Sequence, residues 1–165
     1  MKLLYSNILP LGTADDQQTI IDCFQEQLAK ADYVEIAVGY VSRASLEELD
    51  NLISDYSIKQ ICLNIGMYYI EGMPESSYHT AVKINKKWRA SRTGEIRIVR
   101  SFKYHGKLYC FYKDGVPFSA IIGSANLGVI KLEASNRRQY EISSLTIDPS
   151  ECKEISDFIQ KLKAP

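Results

Sequence analysis

The chain has 165 residues, with 20 basic and 20 acidic side chains and 45% hydrophobic residues. This size and composition suit one compact domain with a real core, and they exclude a disordered or fibrous chain. No stretch approaches the roughly 20 apolar residues that cross a bilayer, and residues 1–7 lack the apolar segment of a secretory signal. We therefore expect a single domain over residues 1–165 in a cytoplasmic protein that contacts no membrane.

The neutral sum of charges conceals an uneven distribution. Residues 1–82 carry 12 acidic and 4 basic side chains, whereas residues 83–138 carry 13 basic and 3 acidic ones. A polyanion responds to the local field rather than to the net charge. The middle of the chain is therefore the candidate for binding nucleic acid.

The four cysteines lie far apart in the sequence, at positions 23, 62, 110 and 152. No two of them have the Cys-x-x-Cys spacing of a metal or redox site, and each falls within an apolar segment. We expect buried, reduced thiols and no cysteine-bound metal.

The first half of the chain predicts alternating helices and strands. Apolar side chains at helical spacing predict a helix that starts near Thr13–Asp16 and ends near Ala31. The apolar segments 33–41 and 58–65 predict two buried strands, joined by a helix that Ser42 can cap. These elements form a β-α-β unit.

A third helix is predicted to open at Ser76 or Ser77. Its inner side is expected to carry residues at helical spacing, which are Tyr78, Val82, Asn85 and Trp88. Lysine and arginine side chains surround this inner side, so the outer face of the helix is strongly basic.

The second half of the chain predicts short strands and a closing helix. The predicted strands are 95–100, 104–112, 118–122 and 140–147. Asp114-Gly115 predicts a hairpin turn between the second and the third of these strands. A helix is expected from Pro149 or Ser150. The predicted fold is an α/β domain whose mixed sheet has helices on both faces.

Several polar side chains fall together at the end of this predicted sheet. His105 and Lys107 share one face of the predicted strand 104–112, because side chains alternate along a strand. The next strand ends in residues 123–126, where open α/β sheets bind ligands. The Lys107 ammonium and donors from Ser124 and Asn126 suit phosphate oxygens, and a neutral imidazole can attack phosphorus. The set predicts phosphoryl transfer.

Glu141 is an acid in an otherwise apolar predicted strand, so its carboxylate needs a partner. It could accept a hydrogen bond from the second ring nitrogen of His105 and so fix the tautomer of the imidazole. Alternatively, it could pair with Arg137 or Arg138 at the surface.

The motif His105-Gly106-Lys107 is followed, sixteen residues after the lysine, by Gly123-Ser124-Ala125-Asn126. This pattern resembles the signature of the phospholipase D (PLD) superfamily. The resemblance covers residues 95–147, and the flanking α/β pattern is similar to one half of that superfamily's fold. It implies that His105 attacks phosphorus to form a phosphohistidine, without metal or cofactor. It further implies that Lys107 and Asn126 bind the phosphate, that Ser124 assists, and that Glu141 orients the histidine.

One position departs from the superfamily pattern. That pattern has Asp five residues after the lysine, where this chain has Tyr112, and Asp114 comes two positions late. The DNA-cutting branch of the superfamily also tends to lack this Asp. The resemblance is therefore strongest to PLD-like restriction endonucleases of the NgoFVII and BfiI type, in which such a domain precedes a separate DNA-reading domain. No such reading domain fits within these 165 residues, so we expect one outside this chain.

The chain holds one copy of the motif, because His79, its other histidine, has no lysine two residues later. In the superfamily, a second His-x-Lys histidine protonates the leaving oxygen. The resemblance therefore implies that another chain completes the site. We expect a homodimer with the active site on its two-fold axis.

The basic segment that leads into the motif suggests a duplex backbone as the substrate. The residues expected to contact DNA are Lys83, Lys86, Lys87, Arg89, Arg92 and Lys103. A lipid substrate would call for an exposed apolar surface or an amphipathic anchor beside the site, and the sequence shows neither. The expected function is metal-independent cleavage of DNA by the catalytic domain of a restriction endonuclease. The alternatives are a non-catalytic dimerisation or nucleic-acid-binding module, and a nonspecific nuclease or phospholipid phosphodiesterase.

Overall fold

The computed structural model describes residues 1–131 and 139–164. The strands in this part of the chain are β1 (Lys2–Tyr5), β2 (Gln18–Thr19), β3 (Tyr33–Val38), β4 (Gln60–Ile65), β5 (Gly94–Ile98), β6 (Leu108–Lys113), β7 (Val116–Gly123) and β8 (Ile142–Thr146). The helices are α1 (Ile20–Lys30), α2 (Arg43–Asp55), α3 (Glu75–Ala90) and α4 (Pro149–Lys163), with a short 3-10 helix at Leu127–Ile130.

All of these strands join one mixed sheet in the order β2-β1-β8-β7-β6-β3-β4-β5. The predicted β-α-β unit is present, since β3 and β4 are parallel and α2 connects them. Strand β5 continues the parallel half, whereas β6, β7, β8 and β1 form antiparallel pairs. Helices cover both faces of this sheet, so the predicted fold class is confirmed.

The two faces of the sheet have separate cores. On one face, Phe24 of α1, Leu49 of α2 and Trp88 of α3 pack in one buried cluster with strand residues such as Ile36. On the other face, α4 supplies Cys152 and Ile159, which pack with Cys110 and Ala120. The four cysteines are free and buried, as predicted.

Helix α1 begins at Ile20, which is four to seven residues later than the predicted start near Thr13–Asp16. The hydroxyl of Thr19 caps it by accepting a hydrogen bond from the Asp22 backbone N–H at 3.1 Å. Residues 18–19 pair with β1 instead of joining the helix. Neither β1 nor β2 is among the predicted strands, because both are too short to show a clear alternating pattern.

Helix α3 presents a different face to the core from the one predicted. It begins at Glu75, without a side-chain cap from Ser76 or Ser77. Its buried residues are Ser77, Ala81, Ile84 and Trp88. The buried stripe lies one position earlier than predicted for three of its four residues, and Tyr78, at 54% exposed, does not point inward as predicted. Asn85 is half-buried and faces the sheet, since its Oδ1 accepts a hydrogen bond from the Ile96 N–H of β5 at 2.8 Å.

Two strands that flank the motif are shorter than predicted. Strand β6 begins at Leu108, so His105 and Lys107 lie in the preceding loop rather than on a strand. The Tyr104 N–H bonds to the Gly66 carbonyl at 3.0 Å, which fixes this loop against the end of β4. Strand β8 begins at Ile142, so Glu141 also precedes its strand.

A buried carboxylate anchors the C-terminal end of α4. Glu35 of β3 is 0% exposed, and it accepts hydrogen bonds from Lys163 Nζ and Gln160 Nε2, both at 2.9 Å. The Tyr33 hydroxyl donates a third bond to the same oxygen. Lys163 thus supplies the positive charge that offsets this buried carboxylate.

Replacing Lys163 with alanine is expected to lower the free energy of unfolding by about 3 kcal/mol, because the Glu35 charge would remain buried without its cation. Urea unfolding followed by circular dichroism measures this change. Lys153→Ala is the matched control, since its pair with Asp157 lies at the surface of the same helix and should contribute under about 1 kcal/mol. Equal losses from the two variants would contradict this role for Lys163.

No helix in the described ranges has both the length and the apolar character needed to pass through a membrane.

Candidate active site

The residues of the motif meet at one edge of the sheet. Strand β3 ends at this edge with Val38, followed by Gly39, and β6 begins there, because the two strands are antiparallel. Strand β7 ends there at Gly123, which pairs with Ser143 near the start of β8. Four strands therefore bring the His105 loop, the Ser124–Asn126 segment and Glu141 to the same place.

His105 and Lys107 lie next to each other, although the reason differs from the predicted strand alternation. Lys107 Nζ lies 3.2 Å from His105 Nε2 and donates a hydrogen bond to the His105 carbonyl at 2.6 Å. The lysine thus curls back over the loop. His105 is exposed, whereas Lys107 is only 7% exposed. Burial lowers the pKa of the Lys107 ammonium, and the charge of Glu141 opposes part of this shift.

Asn126 is held by the backbone that follows β3. Its Oδ1 accepts hydrogen bonds from the N–H groups of Gly39 and Tyr40, both at 3.1 Å. A Cβ at Gly39 would lie 3.3 Å from His105 Cδ2 and 3.6 Å from Asn126 Oδ1. Gly39 therefore lies directly beside both His105 and Asn126, and a larger residue there would crowd them.

A tyrosine below the site fixes the backbone of the Ser124–Asn126 segment. The Tyr109 hydroxyl donates a hydrogen bond to the Ala125 carbonyl at 2.8 Å. Burial raises the pKa of Tyr109, so its phenol stays protonated and keeps this donor. The position of Asn126 is thus set from both sides, by β3 and by β6.

Ser124 and Glu141 contact each other. Ser124 Oγ donates a hydrogen bond to the Glu141 carboxylate and accepts one from the Ile142 N–H at 3.1 Å. Between His105 and Glu141 the described residues show no hydrogen bond, so the predicted orientation of the histidine by Glu141 stays a prediction. The alternative partners Arg137 and Arg138 lie outside the described residues.

The structure separates most of the predicted basic residues from His105. Helix α3 runs from the site edge to the opposite edge over about 24 Å. Arg89 and Arg92, at and just beyond its C-terminal end, line a cavity of about 340 Å³ with Gln60 and Gly94, which begin β4 and β5. Lys103 remains beside the motif.

The other basic residues of α3 differ in their surroundings. Lys87 pairs with Asp50 of α2 at 2.7 Å, and Lys83 lines a groove between the two helices. Lys86 is exposed. The predicted basic residues other than Lys103 therefore lie along and just beyond α3, at increasing distance from the motif edge.

Two neighbouring residues of the site are absent from the sequence prediction. Gly39 and Tyr40 fall within the predicted strand 33–41, which ends at Val38 because the next two N–H groups bond to Asn126. Gly39, which follows the apolar residues of β3, is the sequence signal that could have predicted the end of the strand. No three His, Cys, Asp or Glu side chains converge as metal ligands in residues 1–131 and 139–164.

Solved structures with a similar fold define the fold class of this chain. A polyphosphate kinase from Porphyromonas gingivalis aligns with a TM-score of 0.59 and 13% identity, over 98% of this chain and 26% of that chain. A phosphatidylserine synthase from Haemophilus influenzae Rd KW20 aligns with a TM-score of 0.58 and 12% identity, over 97% of this chain and 37% of that chain. Both are PLD-fold proteins, and this chain has the same fold.

The sequence identifies the family within this class. The chain belongs to the NgoFVII restriction endonuclease N-terminal PLD domain family, which matches residues 18–165. The predicted resemblance to PLD-like restriction endonucleases is thereby confirmed. No curated protein matches the chain.

Proposed function

We propose that this domain cleaves DNA phosphodiesters without a metal ion, as the catalytic domain of a restriction endonuclease. The observation that carries the proposal is the convergence of an exposed imidazole, a buried ammonium and a backbone-anchored amide at one edge of the sheet. Family membership supports DNA as the substrate. The family describes an N-terminal domain, which supports a separate DNA-reading domain outside these residues.

The proposed reaction proceeds in two displacements. His105 attacks phosphorus through a ring nitrogen, a P–N bond forms, and the P–O bond to the leaving sugar oxygen breaks. Lys107 and Asn126 stabilise the charge on the non-bridging oxygens, with assistance from Ser124. His105 of the partner subunit protonates the leaving oxygen. Water then attacks phosphorus, gives its proton to the same partner imidazole, and the P–N bond breaks.

An uncovered apolar face of the sheet supports the second subunit in this proposal. Leu3, Ile122 and Ile142 lie on the adjacent strands β1, β7 and β8 and point to the same face as α4. They are 44%, 45% and 47% exposed. Ser124 and Glu141 of the candidate site lie next to this face in the sequence, since Ser124 follows β7 and Glu141 precedes β8. A second copy that packs there would place its own histidine near the first.

The basic residues have different proposed parts in DNA binding. Lys103 precedes the motif and pairs at the surface with Glu71 at 3.4 Å, so it can turn to a phosphate next to the scissile one. A duplex would contact the other basic residues only where it continues along α3. These residues are Lys83, Lys86, Lys87, Arg89 and Arg92.

Excess EDTA is expected to leave plasmid cleavage by this chain unchanged, because imidazole, ammonium and amide supply the nucleophile and the charge stabilisation. Gel analysis of supercoiled plasmid measures the conversion, with a magnesium-dependent nuclease in the same buffer as the control for chelation. Cleavage that requires Mg²⁺ would falsify the mechanism. A chain that binds the plasmid and leaves it intact would support the alternative of a non-catalytic module.

Cleavage is expected to decline on the alkaline side through the titration of Lys107. Only the protonated lysine neutralises phosphate, and burial lowers its pKa below the ordinary value of 10.5, so the charge is lost at a lower pH than for an exposed lysine. The pH–rate profile measures this decline. Lys107→Arg keeps its charge and should remove the decline at a reduced rate. Lys103→Ala is the control and should retain it.

A further inference from the structure

Tyr40 is an aromatic side chain next to the candidate site that the proposed reaction does not use. It follows Gly39, and its N–H bonds to Asn126 Oδ1 at 3.1 Å. The Tyr40 ring centre lies 6.1 Å from that of His105, with the two ring planes at 78°. The side chain is 37% exposed, so part of the ring faces solvent beside the histidine.

The Tyr40 ring is supported from behind by a second tyrosine. Tyr68 packs against it with ring centres 5.4 Å apart and planes at 78°. The Tyr68 hydroxyl donates to the Val41 carbonyl at 2.9 Å and accepts from the Val41 N–H at 3.2 Å. Burial raises the pKa of Tyr68, which keeps this hydroxyl protonated. Tyr40 is therefore held at its backbone and packed against the Tyr68 ring before any ligand binds.

The distance between the Tyr40 and His105 rings matches the scale of a nucleotide. Successive nucleotides in one strand are about 3.4 Å apart along the helix axis. The Tyr40 ring centre lies 6.1 Å from the His105 ring centre, so a phosphate bound at His105 would bring a base within reach of Tyr40. A base inside an intact duplex has both of its faces covered by neighbours. A ring of the protein can stack on it only after the base leaves the stack.

We propose that Tyr40 stacks on an unstacked nucleobase next to the phosphate held by Lys107 and Asn126, which makes single-stranded or locally opened DNA the substrate of this site. The inference rests on the proposed DNA phosphodiesterase function and adds a specificity residue to it. Every base has an aromatic face, so stacking favours an opened strand without selecting its sequence.

The test compares two single-stranded oligonucleotides of equal length and charge, one with bases and one with abasic sugars throughout. Binding is measured by fluorescence anisotropy in His105→Ala, which prevents turnover. With Tyr40 present, the oligonucleotide with bases should bind at least about tenfold more tightly than the abasic one. Adding Tyr40→Leu should bring this ratio close to one and leave the affinity for the abasic strand unchanged. Adding Tyr40→Phe, the matched control, should preserve the ratio.

The outcomes separate this inference from the proposed function. A ratio that Tyr40→Leu leaves unchanged would overturn the role of Tyr40, while binding of both strands would still support a phosphodiester site. Failure of both strands to bind would overturn the proposed function and this inference together. Thermal unfolding checks that each variant is folded. If Tyr40→Leu does not fold, Tyr40→Trp replaces it: a larger ring should raise the ratio, and an unchanged ratio would overturn the role.

Discussion

Replacing His105 with alanine is expected to lower DNA cleavage by at least about a thousandfold, because the proposed P–N bond can no longer form. The same change should remove a covalent intermediate. With internally ³²P-labelled DNA and rapid denaturation, the unmodified chain should acquire label that resists alkali and is lost in acid, as expected for phosphohistidine. The labelled band on a denaturing gel and the initial rate of cleavage are the two measurements.

His79→Ala is the control for the His105 experiment, since it removes the other histidine of the chain. His79 lies on α3 and pairs with Glu75 at 3.5 Å, with most of its side chain exposed. Its removal should change neither the rate nor the label. A His105→Ala chain that still acquires label would show that another residue is the nucleophile.

Replacing Ile122 with lysine is expected to weaken self-association on the order of 100-fold, because a charge would be buried in the proposed interface. Ile122 belongs to the apolar face that also contains Leu3 and Ile142. Sedimentation velocity over a range of concentrations measures the dimer dissociation constant. Cleavage should fall with the loss of the dimer, since each proposed site needs a histidine from both subunits.

Val116→Lys is the matched control for the interface, because it places the same charge at the opposite end of the same strand. Val116 is 62% exposed and lies far from the site edge. It should alter neither the association nor the rate. A natural chain that is monomeric and cleaves with the same specific activity at every concentration would rule out the shared site.

Much of the fold could be predicted, because long apolar segments and a turn signal specify it locally. The hairpin at Asp114-Gly115 is an example, since both residues have positive φ (51° and 79°) as a tight hairpin turn requires. Trp88 is buried as predicted. The short strand β2 depends on pairing with β1, and β1 in turn pairs with β8, which lies more than 100 residues later. No local pattern reports such pairing.

The candidate site was predicted through its motif, and its geometry depends on contacts between distant segments. His105 and Lys107 meet because the lysine bonds back to its own loop, although neither residue lies on a strand. Gly39 and Tyr40 join Asn126 across 86 to 87 residues of sequence. The direction of α3, which carries Arg89 away from the motif, follows from the parallel pairing of β4 and β5. From sequence proximity alone, the basic residues of α3 would be expected to lie beside the motif.

The β6–β7 hairpin carries both the His105 loop, which precedes β6, and Asn126, which follows β7, at its open end. Its register is regular from Leu108–Ile122 to Phe111–Ser119 and shifts by one residue only beyond Phe111, towards the turn. A single-residue slip in the regular part would reverse the facing of every side chain. The part of the hairpin beyond Phe111 already contains one extra residue in one strand. Evolution can therefore lengthen or shorten this hairpin at its tip without disturbing the chemistry, whereas an insertion between Leu108 and Phe111 would uncouple the histidine from the asparagine.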